Sequence, residues 1–206
     1  MLRKWILDVE IVGCVLRTKK MPEYRRIKVK GGTYFFTVVT FGRQPILTAE
    51  HVRAALREGI QEVRQSLPFS IDAWALLPDH LHAIWTLPEN DDNFASRWAV
   101  IKRTVSQRCG SWDGIGRTIN DSLYRRGERG IWQRRYWEHL IRDELDLQRH
   151  LDYLHWNPVK HGYVKRVIDW PYSTFHCFVT RGLYSPDWGG INEKETDNVN
   201  FGESEK

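Results

Sequence analysis

FSIDAWALLPDHLHAIWTL, residues 69–87, is the stretch of sequence that decides the fold. It holds two apolar runs, about 69–77 and 80–87, joined by Pro78-Asp79, a pair typical of tight turns. In the second run apolar residues alternate with polar ones, so His80 and His82 share one face and the apolar side chains share the other. The stretch predicts a β-hairpin whose second strand carries two histidines on the same face.

The residues before and after this hairpin predict further elements. TYFFTVVTF (Thr33 to Phe41) predicts a buried strand, because β-branched and aromatic residues follow one another. Apolar residues at helical spacing predict a helix from about Thr48, as its N-cap, to Ser66, and a second from an Asp91-Asp92 cap to about Arg108. The basic residues of this second helix are predicted to lie away from its apolar stripe: Arg97, Lys102, Arg103 and Arg108.

Two more elements complete the order. IWQRRYWEHLIR (131–142) predicts a strand, with a helix as the alternative. A last helix from Glu144 to Trp156 is predicted to end before Asn157-Pro158, since proline disfavours helical geometry in the residue before it. The order β-α-β-β-α-β-α predicts an α+β, ferredoxin-like split βαβ fold. Its antiparallel sheet would have helices on one face, the histidines on the open face, and one extra C-terminal helix.

The composition is that of a folded, basic protein. Hydrophobic residues make up 41% and charged residues 28% of the 206 residues, and ten are tryptophan. The net charge of +5 and pI of about 9.1 favour a polyanionic partner. Three scattered cysteines indicate no disulfide framework, which favours a reducing, cytoplasmic location. No apolar run approaches the ~20 residues of a membrane span, so no membrane association is expected.

Three segments are predicted along the chain. Residues 1–20 are interpreted as an N-terminal appendage, and residues 21–170 contain every patterned element and form one compact domain. Residues 171–206 form an aromatic segment followed by a polar tail. A Gly- and Arg-rich stretch, 110–130, predicts a basic loop within the domain.

The paired histidines and one tyrosine are the candidates for chemistry. Alternate residues of a strand lie about 6.6–6.8 Å apart, close enough for His80 and His82 to share a metal ion at bonds of roughly 2.1 Å. The alternative is two polar residues on a half-exposed face. Tyr153 shares a polar helical stripe with Asp146, His150 and Asn157 rather than lying with the leucines. It could face solvent or a site, or be an ordinary boundary tyrosine.

Two motifs stand together in the chain: HLH at 80–82 and YLHWNPVK at 153–160. With them the chain resembles the single-tyrosine HUH transposases, and among these the REP-associated tyrosine transposases. Supporting stretches are YRR (24–26), KGG (30–32), LPD (77–79), IWQ (131–133) and DWPYSTFH (169–176). The resemblance covers about residues 21–190, and it implies that 21–170 is the catalytic domain and the last helix the catalytic helix.

The resemblance implies transesterification on single-stranded DNA beside a REP-type hairpin. Tyr153 would be the nucleophile and form a 5′-phosphotyrosine intermediate. His80 and His82 would hold Mg²⁺ or Mn²⁺ together with Asn157, which by position alone could equally cap the helix. The family leans towards a monomer, with a dimer left open. Hydrogen-bonding or surface roles are expected for His150, His155 and His161, and structural roles for His139 and His176.

Basic residues are the candidates for contacts with DNA. They are expected to cluster around the open face of the sheet and to bind phosphates, although each charge could also simply be solvated. The basic candidates are Arg25, Arg26, Lys28, Lys30, Lys102, Arg103, Arg134 and Arg135, and Tyr24 is a further candidate beside them. Two other functions remain open from the sequence: a module that binds structured nucleic acid without catalysis, and a metal phosphodiesterase in which water attacks.

Overall fold

The computed structural model describes residues 26–109, 130–189 and 201. A four-stranded antiparallel sheet forms its centre, with strand order β2-β3-β1-β4. Its strands are β1 (Thr33–Val39), β2 (Ser70–Leu76), β3 (His80–Thr86) and β4 (Trp137–Leu140). This order confirms the ferredoxin-like prediction. The predicted appendage (1–20), most of the 110–130 loop, Tyr24 and Arg25 lie outside the described residues.

Helices cover both faces of the sheet. The first face packs against α1 (Glu50–Ser66) and α2 (Phe94–Arg108), and the indoles of Trp85 and Trp98 stack there with centroids 4.2 Å apart. The second face, which carries the histidines, packs against α3 (Glu144–Lys160). The face expected to be open is therefore covered by the extra helix. A short helix, α4 (Phe175–Thr180), and two 3-10 turns (Phe41–Arg43 and Val167–Asp169) complete the described elements.

The last long helix does not end where the sequence predicts. α3 continues through Pro158 to Lys160, so the predicted end at Trp156 was wrong. A proline in a helix loses one hydrogen bond and crowds the carbonyl four residues earlier. Near the C-terminal end the cost is limited, because the following backbone still bonds: His161 N donates to Asn157 O at 3.0 Å. The extra turn makes residues 157–160 part of the helix.

The predicted starts of the first two helices are displaced. α1 has Ala49 as its N-cap, without a side-chain hydrogen bond, so the prediction that Thr48 caps it was wrong. At α2 the cap is Asn93, not Asp91-Asp92, and its side chain accepts a hydrogen bond from Ser96 N at 3.1 Å. Asp and Asn cap helices about equally well, so the sequence pattern could not choose among these neighbours.

Arg97 is buried, although the sequence placed it away from the apolar stripe of α2. Its side chain is 0% exposed, and its guanidinium pairs with Asp91 at 2.7 Å. It also donates to the carbonyl oxygens of Leu67, Pro68 and Asn93. A buried charge is tolerated when ion pairs and hydrogen bonds satisfy it, and here they tie α2 to the loop before β2.

Two of the strands are shorter than predicted. β1 ends at Val39, and β4 spans four residues instead of the predicted 131–142. In the first half of that stretch, Trp132 makes only an isolated bridge to Thr40. Residues beyond Trp170 pack along the edge of β2, where Trp74 N donates to Thr174 Oγ1 at 2.9 Å. No helix in the described ranges is long and apolar enough to cross a membrane.

Candidate active site

His80 and His82 lie buried at the start of β3, with ring centroids 5.0 Å apart. His80 Nδ1 lies 2.7 Å from Asp79 Oδ1, a carboxylate oxygen that can only accept a hydrogen bond. The neutral His80 ring therefore carries its proton on Nδ1 and a lone pair on Nε2. That Nε2 lies 3.2 Å from Asn157 Oδ1 on α3.

A second chain of hydrogen bonds orients His82. The hydroxyl of Thr37 on β1 donates to the backbone oxygen of Phe201 at 2.6 Å, and its oxygen lies 3.0 Å from His82 Nδ1. Because the hydroxyl has one proton and uses it on Phe201, His82 Nδ1 must be the donor to Thr37. In the neutral ring the lone pair is then on Nε2. Both histidines are held in the same tautomer.

Asp79, which supports His80, is itself held by a cation. Arg43 Nη1 lies 3.0 Å from Asp79 Oδ2. Burial raises the pKa of the Asp79 carboxyl, but hydrogen bonds from His80 and Arg43 outweigh burial and lower the pKa to about 2. Arg43 has φ +51°, in the left-handed region that disfavours side chains other than glycine. Such strained residues cluster at functional sites, and Arg43 places its guanidinium against Asp79, the residue that holds His80.

Tyr153 and Asn157 face the histidines from α3. Tyr153 is 2% exposed, and its ring centroid lies 5.4 Å from that of His82. The two α3 residues are one turn apart on the same side of the helix, as the sequence pattern indicates. The polar stripe does not face solvent: His150, Tyr153 and Asn157 are all buried. The helix packs this stripe against the sheet, which brings the candidate nucleophile beside the paired imidazoles.

Lys160 joins the site, and the sequence analysis missed it. Its Nζ donates a hydrogen bond to the phenol oxygen of Tyr153 at 3.0 Å and lies 4.7 Å from the centre of the ring. It is seven residues after Tyr153, two helical turns, so both side chains lie on one stripe. The sequence prediction ended the helix at Trp156 and therefore left Lys160 out of that stripe. The continuous run YLHWNPVK, taken as helix despite its proline, would have shown it.

Phe201 also reaches this site, although the sequence placed it in a polar tail. Its ring stacks on that of Tyr153 with centroids 3.6 Å apart and planes 3° apart. It also packs against Phe35 and His150. No spacing or motif in the sequence distinguishes this residue. In this conformation the ring of Phe201 covers one face of the tyrosine ring.

The donor atoms around β3 and α3 have the chemistry of a divalent-cation site. They are two imidazole nitrogens with lone pairs and one amide oxygen. Two ligands of one ion at about 2.1 Å and near-perpendicular directions are roughly 3 Å apart. The 3.2 Å between His80 Nε2 and Asn157 Oδ1 matches that spacing. Asp79 and Thr37 accept hydrogen bonds from Nδ1 of His80 and Nδ1 of His82. In metal sites the ring nitrogen that does not bind the ion is commonly held in this way.

A second group of possible ligands lies where α3 meets β4. His139 Nε2 is 2.8 Å from Asp146 Oδ2, and His150 Nδ1 is 2.7 Å from Asp146 O. These contacts form a hydrogen-bond network that fastens α3 to β4 one turn before Tyr153. Burial lowers the pKa of His150 to about 4, so its ring is neutral at neutral pH. Among the described residues, its Nε2 has no hydrogen-bond partner.

The other histidines near α3 differ in environment. His155 is buried, and burial lowers the pKa of its ring to about 3. His161 is exposed, with its ring centroid 5.1 Å from that of His80. His176 Nε2 bonds to the backbone oxygen of Trp170 at 3.0 Å.

Four of the basic candidates for DNA contact converge on one cavity of about 560 Å³, although not around the histidine face: Arg26, Lys102, Arg103 and Arg134. The cavity lies beside α2, which packs on the other face of the sheet. The Arg26 guanidinium lies 4.5 Å from the centre of the Tyr136 ring, and Lys102 Nζ donates to Gln133 O. The expected clustering around the face of the histidines was therefore wrong for these four residues. Lys28 pairs with Asp92, and Lys30 and Arg135 are exposed.

Paired histidines on an inner strand of a ferredoxin-like sheet, facing a helical tyrosine, define the class of single-tyrosine HUH transposases. No family model matches the chain. The REP-associated tyrosine transposase of Escherichia coli K12 is 48% identical over 171 residues, which are 82% of this chain and 92% of the relative. A candidate REP-associated tyrosine transposase of Haemophilus influenzae is 45% identical over 174 residues, 82% of this chain and 94% of the relative.

A solved structure of a REP-associated tyrosine transposase bound to a REP hairpin has a TM-score of 0.72 and 44% sequence identity. The match covers 90% of this chain and 99% of that one. The chain belongs to the REP-associated tyrosine transposase family. It is therefore an enzyme of the DNA transposase class.

Proposed function

We propose that the enzyme cuts and rejoins single-stranded DNA beside REP-type hairpins, with Tyr153 as the nucleophile. The observation that carries this proposal is the position of the Tyr153 ring, 5.4 Å from His82 and on the same helix stripe as Asn157. The relative bound to a REP hairpin supports a hairpin as the DNA partner. The catalytic domain is proposed to be residues 21–170, acting as a monomer.

In the proposed reaction, the phenol oxygen of Tyr153 attacks a backbone phosphorus atom. The bond from phosphorus to the 3′ oxygen breaks, which leaves a 5′-phosphotyrosine and a free 3′-hydroxyl. Formally, the phenol proton is transferred to the 3′ oxygen through water. The phosphotyrosine ester retains the energy of the broken bond, so attack by a 3′-hydroxyl reseals the strand without ATP.

His80, His82 and Asn157 are proposed to hold a divalent cation, Mg²⁺ or Mn²⁺. When bound, such an ion offsets the negative charge that develops on the phosphate oxygens. The protein's part is to present the ligands in one tautomer and one orientation. Asp79 does this for His80 and Thr37 for His82, while α3 holds Asn157 and the nucleophile on the same stripe.

The basic cavity beside α2 is the proposed contact with DNA phosphates. Arg103 and Arg134 are exposed, and Arg26 lies over the ring of Tyr136, so charge and a flat aromatic surface occur together. Lys102 contributes to the shape of the cavity through its bond to Gln133 O. Tyr24, Arg25, Lys28, Lys30 and Arg135 remain proposed contacts on sequence grounds.

The test of the nucleophile uses Tyr153→Phe, with Tyr163→Phe as the matched control. Tyr163 is an exposed tyrosine ten positions further along the chain. Single-stranded hairpins from DNA neighbouring the gene are incubated with each protein and Mn²⁺ or Mg²⁺. The wild type and the control should form a covalent adduct on a denaturing gel, and mass spectrometry should place the nucleotide on Tyr153. Tyr153→Phe should bind the hairpin without forming an adduct.

Either of two outcomes would sink this assignment. Covalent capture by Tyr153→Phe would mean that another residue attacks, and cutting by the wild type with no adduct would mean that water attacks. Treatment with a chelator should stop cutting, and added Mn²⁺ or Mg²⁺ should restore it. Calorimetric titration of Mn²⁺ into His80→Ala should show weaker binding than into the wild type. Equal Mn²⁺ affinity would place the metal elsewhere.

A further inference from the structure

The extension of α3 past Pro158 puts a cation next to the proposed nucleophile. Lys160 is the last residue of the helix, and its Nζ donates to the phenol oxygen of Tyr153 at 3.0 Å. Side chains on a helix lean towards its N-terminus, so a lysine two turns after Tyr153 points back along the helix to reach it. Tyr153, Asn157 and Lys160 therefore form one line on the surface of α3.

We propose that Lys160 is a catalytic residue that stabilises negative charge on the phenol oxygen of Tyr153 while the tyrosine–phosphate bond forms and while it breaks. This proposal rests on the proposed function of Tyr153. The ammonium keeps its proton and donates a hydrogen bond, so no atom is transferred to or from Lys160. A charged donor forms a stronger hydrogen bond to an anionic oxygen than to a neutral phenol, so it favours the transition state over the resting state.

Lys160 differs in role from the proposed metal ligands. The ligands act on phosphate oxygens, whereas the lysine acts on the oxygen that enters in cutting and departs in resealing. Because the same bond forms in one direction and breaks in the other, one donor should accelerate both. Loss of Lys160 is therefore expected to slow cutting and resealing alike.

The test compares Lys160→Gln with the wild type, with Lys160→Arg as the charge-retaining variant and Lys165→Gln as control. Lys165 is exposed and lies beyond the end of α3. Single-turnover cutting is measured with Mn²⁺, and resealing is measured from the isolated covalent intermediate. Lys160→Gln should lose about a hundredfold in both rates, the lower end of the loss on removing one charge-stabilising donor, because glutamine can still donate a neutral hydrogen bond. Lys160→Arg should recover part of it, and Lys165→Gln should match the wild type.

A substrate with sulfur in place of the 3′ bridging oxygen separates this role from help to the leaving group. Sulfur leaves without assistance. If Lys160 instead helped the 3′ oxygen to leave, the slow cutting by Lys160→Gln would return to the wild-type rate with this substrate, and the proposal would be overturned. A defect that persists supports it. Wild-type cutting and resealing rates in Lys160→Gln would overturn it. A fall in cutting that is matched by a lower unfolding temperature in both Lys160 variants would also overturn it, because it would indicate a structural role.

The outcomes also separate this proposal from the proposed function. If Tyr153→Phe still forms an adduct, the assignment of the nucleophile fails. If the adduct forms on Tyr153 and Lys160→Gln reacts like the wild type in both directions, only the role of Lys160 fails.

Discussion

Replacing Phe201 with alanine should speed DNA cutting, because the Phe201 ring covers the proposed nucleophile. The rings of Phe201 and Tyr153 are stacked with centroids 3.6 Å apart, and Phe201 is 6% exposed. A DNA strand can reach that face of the tyrosine only after Phe201 has moved away. We therefore expect DNA cutting to require that residue 201 move away from the tyrosine, and the observed conformation to be the closed one of two.

The size of the effect follows from the burial of one aromatic ring. Burying a phenylalanine side chain contributes about 1.5–3 kcal/mol, and alanine removes most of this. The hydrogen bond from Thr37 to the backbone oxygen of residue 201 does not depend on the side chain. Since 1.4 kcal/mol is a factor of ten in an equilibrium, the undocked fraction should rise about ten- to a hundredfold. The cutting rate stops rising once most molecules have residue 201 undocked.

Single-turnover cutting of a hairpin substrate measures the effect. Phe201→Leu should fall between the wild type and Phe201→Ala, because leucine keeps part of the apolar surface. Leu183→Ala is the control, since the side chain of Leu183 is 62% exposed. Cutting by Phe201→Ala that is no faster than the wild type, with equal hairpin binding, would refute the reasoning. Slower cutting would show that the ring aligns the tyrosine instead of covering it.

Four further predictions follow from the site and the core. Asp79→Asn should weaken Mn²⁺ binding by roughly tenfold or more in calorimetric titration, because His80 loses its anionic support. Because the pKa of Asp79 is lowered to about 2, its carboxylate stabilises the folded state fully above about pH 4, and this contribution is lost as the pH falls towards 2. The unfolding temperature of Asp79→Asn should therefore fall less over that pH range than the unfolding temperature of the wild type. Arg103→Ala and Arg134→Ala should each lower the slope of log affinity against log salt for a hairpin by about one, and an unchanged slope would remove them from the DNA contact. Arg97→Met should lower the free energy of unfolding by about 1–3 kcal/mol in denaturant titrations, because the backbone carbonyls of Leu67 and Pro68 lose the buried donor that satisfies them; a loss below about 1 kcal/mol would contradict this.

Short-range periodicity was enough to predict the sheet and the placement of the histidines. Alternation along 80–87 separates the faces of β3, and the structure has His82 on the face of α3 and Leu81 on the face of α1 and α2. Such alternation is reliable because a shift by one residue would move every side chain of the strand to the other face of the sheet. The order of elements then left few alternatives to the ferredoxin-like fold.

Features that depend on tertiary packing could not be predicted in the same way. The rule that ended the helix before Pro158 is a local preference, and packing of α3 on the sheet outweighs it. Arg97 is buried because three backbone carbonyls and Asp91 converge on it, which no spacing along α2 reveals. Phe201 lies against Tyr153 although polar residues surround it in sequence. Two residues in contact with Tyr153, Lys160 and Phe201, were missed for these reasons.

The stacked pair of Trp85 and Trp98 has a practical consequence for all of these experiments. Two indoles 4.2 Å apart and nearly parallel, with 16° between their planes, couple their electronic transitions. The pair should therefore give a circular-dichroism band that neither ring produces alone. It joins β3 to α2 on the side of the sheet away from the histidines. Its optical signal thus reports whether the domain of a given variant has folded, independently of any change made around Tyr153.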